Sequence, residues 1–267
     1  MYNPITSLQN IDNNAVAVIG LCVVALVFNY AYFGEAIRLG FRDKAYSVPA
    51  SVTLLFLPHD LSYLLQFEKW FVTYDHWFCK LWWCGLVLTA SIELVFFYQL
   101  LRYGREEILP QLSQRAYTGV MLLALLATAV AWVTVKQALN DDLYLFSFGW
   151  TLFWGSPLAI SMMVRRGSTR GQSRWMWISY ALMAIFYWAA TAFIDPYFRS
   201  PGWLAVLALA LGFAAANLWM LSRLPDYHSP DASMTTPPDS PMTVHTGARA
   251  PRPYAANPSV IADRSLS

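Results

Sequence analysis

An all-α bundle that crosses a membrane several times is the fold class this sequence predicts, and three observations predict it. Hydrophobic residues make up 57% of the chain and charged residues only 13%, a balance outside that of ordinary soluble domains. Apolar runs of about 20 residues, the length one bilayer crossing needs, recur between short polar breaks. Basic residues concentrate in alternate breaks. Lipid offers the backbone no hydrogen-bond partners, so each run must satisfy itself as a helix, and the runs are too long for the roughly ten-residue strands of a barrel.

Seven such runs are expected, at 15–37, 48–67, 80–101, 116–139, 144–164, 175–194 and 203–221. No basic segment with a small-residue cleavage site precedes the first, so that run is expected to act as an uncleaved insertion signal behind a short segment, 1–14. The second carries Asp60 and the third Glu93, the two acids placed well inside apolar runs; Glu35 falls at the very end of the first. The fifth holds Trp150, Phe153 and Trp154 at helical spacing, and the sixth Tyr180, Tyr187 and Trp188. The seventh contains one strongly polar residue, Asn217. After Arg223 the chain turns rich in Pro, Ser, Thr and Ala without apolar periodicity, which predicts a membrane domain over 15–223 and a disordered tail over 224–267. No internal repeat is visible, which argues against the duplicated halves of many secondary transporters.

Loop charges set an expected orientation. Arg38, Arg42, Lys44, Arg102, Arg105, Arg115, Arg165, Arg166, Arg170 and Arg174 fall on one side, against Lys69, Lys80, Lys136 and Arg199 on the other. The positive-inside rule then leaves the N-terminus outside or luminal and the tail cytosolic, in the plasma membrane of a bacterium or the endoplasmic reticulum of a eukaryote. A net charge of +2 carries no sign of nucleic-acid binding. Cys22, Cys79 and Cys84 lack metal-ligand spacing and read as packing residues.

A mid-span acid is expensive and usually functional. Helical spacing sets Asp60 on one stripe with Phe56, Tyr63 and Phe67, and a carboxylate without solvation is costly, which suits Asp60 to hold and deliver a proton. Glu93 lies on the next run, joined by a short connection, so both carboxyls are expected to face one cavity; a structural hydrogen bond between helices accounts for Glu93 equally well. Cavity aromatics can stabilise a transient cation, although interfacial belts account for most membrane aromatics. Asn217 reads as interhelical glue or as a cavity residue. The loop around Arg170 reads as a topogenic anchor or as a grip on the polar head of an amphiphile.

Several chemistries are excluded. The last run has no lysine for a retinal Schiff base, Asp141-Asp-Leu-Tyr-Leu145 lacks the third acid of an Asp-rich diphosphate motif, and no Cys/His cluster would hold zinc. No metal and no cofactor is expected.

Three stretches together carry a resemblance: Phe41-Arg-Asp-Lys-Ala-Tyr46 before the second run, Arg102-Tyr-Gly-Arg-Glu106 after the third, and Ser168-Thr-Arg-Gly-Gln-Ser173 before the sixth. The pattern resembles the small integral-membrane terpene cyclases of fungal meroterpenoid and indole-diterpene pathways, which have bacterial relatives, across about residues 15–223. The resemblance implies a seven-helix enzyme that protonates a prenyl or epoxyprenyl chain and directs cationic ring closure without metal. It places Asp60 where that family has an essential glutamate. The family's second acid, in its last helix, corresponds to Asn217 here, so the second carboxyl is either supplied elsewhere, with Glu93 or Asp195 as candidates, or the mechanism has changed.

The expected enzyme therefore draws a hydrophobic prenylated substrate from the bilayer. Asp60 gives the initiating proton, His59 or Tyr63 tunes it, and Glu93 or Asn217 orients the acid or takes the final proton. Trp150, Trp154 and Tyr187 shelter the cations, and Arg170 holds the polar end. The rival from another class is a seven-helix transporter or receptor using the same acids as a proton relay or ligand site. An inert scaffold explains the hydrophobicity but not two intramembrane acids.

Overall fold

The computed structural model describes residues 2–227; the expected disorder beyond Tyr227 lies outside the described residues. Each of the seven apolar runs forms a helix. They are α2 (Ala15–Arg42), α3 (Ala50–Leu64), α4 (Trp77–Tyr103), α6 (Gln114–Leu139), α7 (Leu145–Arg166), α8 (Arg174–Ile194) and α9 (Pro201–Leu221). Two short helices accompany them, α1 (Pro4–Asn13) and α5 (Arg105–Ile108), with a π-helical turn at Lys69–Thr73 and a 3-10 turn at Pro196–Arg199. The N-terminal segment is thus helical, started by the Asn3 side chain, which accepts from the Thr6 amide at 3.1 Å.

Five helices, α2, α4, α6, α8 and α9, are long and apolar enough to cross a membrane. The other two fall short for visible reasons. α3 has only 15 residues, about 22 Å at the α-helical rise against roughly 30 Å of hydrocarbon. α7 interrupts its apolar face with Ser147, Thr151, Ser156, Pro157 and Ser161. Neither needs to meet lipid all round: α3 is wedged among α4, α6 and α7, and α7 lies against α9 and α8, while α2 packs along α8.

Both of these helices contain a proline, and in each case another group takes over the backbone acceptor that proline deprives of its i+4 donor. Pro58 lacks the N–H that would pair with the Leu54 carbonyl; the Thr128 hydroxyl of α6 lies 2.7 Å from that oxygen, and Trp132 Nε1 donates to the next carbonyl, Leu55, at 2.8 Å. Pro157 likewise leaves the Phe153 carbonyl, which accepts from Ser156 Oγ at 3.1 Å, while Tyr180 of α8 donates to Leu152 at 2.6 Å. Such re-satisfaction, by side chains of neighbouring helices or of the same helix, is what membrane burial requires. The C-terminal carbonyls of α3 are served similarly, Leu64 by Trp83 Nε1 at 3.0 Å and Ser62 by the Lys136 ammonium at 2.6 Å.

The basic loops gather at one end of the bundle. Glu107, just after α4, accepts from the Tyr46 hydroxyl at 2.7 Å and pairs with Arg165 at 3.1 Å and Arg166 at 3.0 Å. Burial first, then the Glu107 carboxylate, holds the Tyr46 phenol above its ordinary range, so it remains a donor. Arg170 donates to the Asp43 and Lys44 carbonyls at 3.1 and 2.7 Å, and its guanidinium lies 5.5 Å from the Tyr227 ring centre. Gly171, at φ +71°, adopts the left-handed conformation that directs its amide to Asp43 Oδ2 at 2.8 Å. Leu224 to Tyr227, expected to begin the tail, dock here through a Thr169 amide bond to the Pro225 carbonyl and a Tyr227 amide bond to Thr169 Oγ1. The opposite end holds α1 and the α6–α7 loop, so Tyr2 and Tyr227 lie at opposite ends of α7.

Candidate active site

Asp60 and Glu93 face one internal cavity, as the sequence leads one to expect. Its walls come from five helices: Asn29, Tyr32 and Phe33 on α2, Thr53, Phe56 and Asp60 on α3, Thr89, Glu93 and Phe96 on α4, Phe148, Thr151 and Leu152 on α7, and Tyr180 and Met183 on α8. Asp60 is 2% and Glu93 3% exposed, and no lysine or arginine lines the cavity. Its free volume is about 40 Å³, room for about three waters at the ~10–15 Å³ each needs.

Two donors hold Asp60, both on Oδ1: His59 Nδ1 at 3.0 Å, and the Tyr144 hydroxyl in a short hydrogen bond. Asp60 Oδ2, Glu93 Oε2 and Thr53 Oγ1 have no partner among the described residues. Buried polar groups are normally paired, so three such atoms around one cavity leave hydrogen-bonding capacity there for water or for a polar group of a ligand. His59 is itself wedged between rings, 4.4 Å from Trp132 and 4.7 Å from Tyr144 between centroids.

Tyr144 is the residue sequence reasoning missed. It precedes α7 at φ +68°, a left-handed conformation that is unfavourable for a bulky side chain, and the surrounding loop holds it there. Asp141 accepts from the Phe146 and Ser147 amides at 3.2 and 2.7 Å, and the Leu143 amide donates to the Tyr2 hydroxyl at 2.9 Å. Burial, then the Asp141 carboxylate, pushes the Tyr2 phenol well upward, so Tyr2 stays protonated and donates to Asp141 Oδ1. Asp141, to which the sequence assigned no role beyond falling short of an Asp-rich motif, is therefore the acceptor that starts α7 and aims Tyr144. Among the described residues no group of three His, Cys, Asp or Glu side chains is placed to hold a metal ion.

The other expected site residues lie elsewhere. Tyr63 bonds the Asp141 carbonyl at 2.9 Å and Ser147 Oγ at 3.0 Å, not Asp60. Phe67, expected on the Asp60 stripe, follows the end of α3 and stacks on Phe71 at 4.2 Å. Asn217 is buried away from the acids; its amide donates to the Ser156 carbonyl at 2.9 Å, tying α9 to the proline bend of α7, and it reads as glue. Asp195 caps the 3-10 turn by accepting from Tyr197 at 2.8 Å. Tyr187 donates to the Leu145 carbonyl and borders a small neighbouring void. Trp150 and Trp154 line a separate cleft, and Arg170 belongs to the basic end. Of the cysteines, Cys79 is buried and Cys84 exposed, so packing does not describe all three.

Compared with protein-family models, with curated proteins and with solved structures, the chain matches none.

Proposed function

We propose that the protein is a seven-helix membrane enzyme that protonates a prenyl or epoxyprenyl chain at Asp60 and guides its cationic cyclisation. In this reading α3 and α7 complete the crossings as inner helices shielded by their neighbours. The observation that carries it is the pair of unpartnered carboxyl oxygens, Asp60 Oδ2 and Glu93 Oε2, in one aromatic-walled cavity without a cation. Asp60 passes its proton from Oδ2 to the epoxide oxygen or terminal alkene; the C–O or π bond opens, and the resulting carbocation is attacked by the next double bond. Phe33, Phe56, Phe96 and Phe148 present ring faces or edges to the cavity, and ring faces stabilise cations. Loss of a proton to Glu93 ends the cascade, and its return to Asp60 makes the overall reaction an isomerisation. His59 and Tyr144 orient the acid.

A cavity of about 40 Å³ is far below the several hundred a ligand of this size occupies, so substrate binding requires the wall to open. The same small volume favours a second reading, a water-bridged proton relay between Asp60 and Glu93 in a transporter.

Membranes containing the protein, incubated with farnesylated and epoxyfarnesylated aromatic precursors, should yield an isobaric cyclised product that Asp60→Asn abolishes at matched protein level. Full turnover by Asp60→Asn removes Asp60 as the acid. Proton flux in liposomes carrying the wild type but not Asp60→Asn, with no product from any precursor, selects the relay.

A further inference from the structure

A second apolar space adjoins the acid cavity. It is a cleft of about 390 Å³ between α3, α6 and α7, walled by Leu55 and Phe56, by Trp132 and Val135, and by Trp150 and Trp154. The cleft exists because α6 leans on α3 and, more lightly, on α4, and diverges from α7. The Thr128 and Trp132 bonds to the α3 carbonyls fix that lean. Its outer residues are open, Val135 at 42% and Trp154 at 45% exposure, on helices whose outward faces meet the bilayer in the proposed arrangement. Phe56 and Thr151 line both the cleft and the acid cavity, so these two side chains form a wall common to the two spaces.

We infer that the α3–α6–α7 cleft is the lateral portal by which a linear isoprenoid chain passes from the bilayer to Asp60, with Phe56 and Thr151 as its inner gate. The identity of the chain rests on the cyclase reading; the route rests on the shared wall. The occupant is isoprenoid because the cleft is walled mainly by apolar and aromatic side chains, holds no charged residue, and shares Phe56 and Thr151 with the cavity where the Asp60 and Glu93 carboxyls lie. Opening requires rotation of Phe56, which as the aromatic member of the gate also meets the first cation formed beyond it.

The test uses the full-length protein in nanodiscs and a diazirine-bearing farnesol as probe. Irradiation should place adducts on the peptide containing Trp132 or Trp150 and on that containing Phe96, with both suppressed by excess geranylgeraniol and neither by palmitic acid. Val135→Trp, which plugs the mouth from a lipid-facing position, should lower labelling at Phe96 at least tenfold. Thr151→Phe should keep the cleft adducts and lose those at Phe96, and Phe56→Ala should raise them several-fold. Thermal melting identifies variants that remain folded. Undiminished Phe96 labelling in folded Val135→Trp, or cleft labelling no higher than on outward residues of α9 such as Leu209, overturns the portal. The two readings fail separately: the expected labelling without product from any precursor keeps the portal and removes the cyclase, whereas product formed at wild-type rate by both plugged variants keeps the cyclase and removes the portal.

Discussion

Tyr144 and Asp60 are joined by a short hydrogen bond across the α3–α7 interface, and it ends on the same carboxyl oxygen that His59 occupies. The second oxygen is left to the cavity. One donor thus comes from the neighbouring residue on the acid's own helix and the other from a loop, so the orientation of the acid depends on the fold of the α6–α7 connection. Tyr144→Phe keeps the ring and removes the donor. Turnover of a cyclising precursor should fall about 10- to 100-fold through loss of orientation, with melting only slightly lowered because His59 still serves Oδ1. Unchanged turnover would detach Tyr144 from the chemistry.

The proline bend in α3 makes a coupled prediction. Thr128→Val leaves the Leu54 carbonyl without its donor, which should destabilise the protein by about 1–3 kcal/mol. Pro58→Ala restores a backbone N–H for the same carbonyl, so in the double variant the cost of Thr128→Val should shrink. Unfolding of the four proteins in mixed micelles measures the coupling; additive effects would show that the two residues do not share that acceptor.

Glu107 is the acidic hub of the basic end. Its removal as Glu107→Gln leaves Arg166, whose side chain is 3% exposed, without its carboxylate. The expected loss is about 2 kcal/mol, below the ~3–5 of a fully buried broken pair because the Arg165 and Glu107 side chains are 47% and 16% exposed. Replacing both Glu107 and Arg166 with glutamine should recover part of that loss in thermal melting.

The proposed topology rests on loop charge and on the placement of Tyr2 and Tyr227 at opposite ends of α7. A reporter fused after Ser267 should read as cytosolic and one before Met1 as external or luminal. Both on one side would remove the seventh crossing.

Product formation, once a precursor is found, should survive EDTA in washed membranes, because no cluster of three ligating side chains occurs among the described residues. Inhibition relieved by magnesium would point to ionisation of a diphosphate instead.

The helices were legible because apolar runs of bilayer length admit one secondary structure in lipid, and the meeting of Asp60 with Glu93 was legible because α3 and α4 are joined by a short connection. Tyr144 was not, since its role depends on a positive φ and on Asp141, whose bonds to the Phe146 and Ser147 amides depart from the spacing of a capping box. For Asn217 the sequence left interhelical glue and a cavity role both open, because helical position alone does not say which neighbour a side chain meets; its partner is a carbonyl beside a proline in α7, the glue alternative. The three stretches that prompted the cyclase resemblance surround the clasp at the basic end, where Arg170, Gly171 and Gln172 bind residues 43–47. They describe how the bundle is tied rather than what its cavity does.

The repair of α3 by α6 also bears on how the protein is made. Ribosomes deliver α3, with its proline, its acid and its insufficient length, some 60 residues ahead of Thr128 and Trp132, and until those side chains arrive lipid has nothing to offer the Leu54 carbonyl. If α3 crosses the membrane as proposed, a short, bent segment with a buried acid should insert together with α6 rather than alone. Variants at Thr128 or Trp132 should therefore be recognised first by membrane quality control during synthesis, with the mature protein scarce before its stability can be measured.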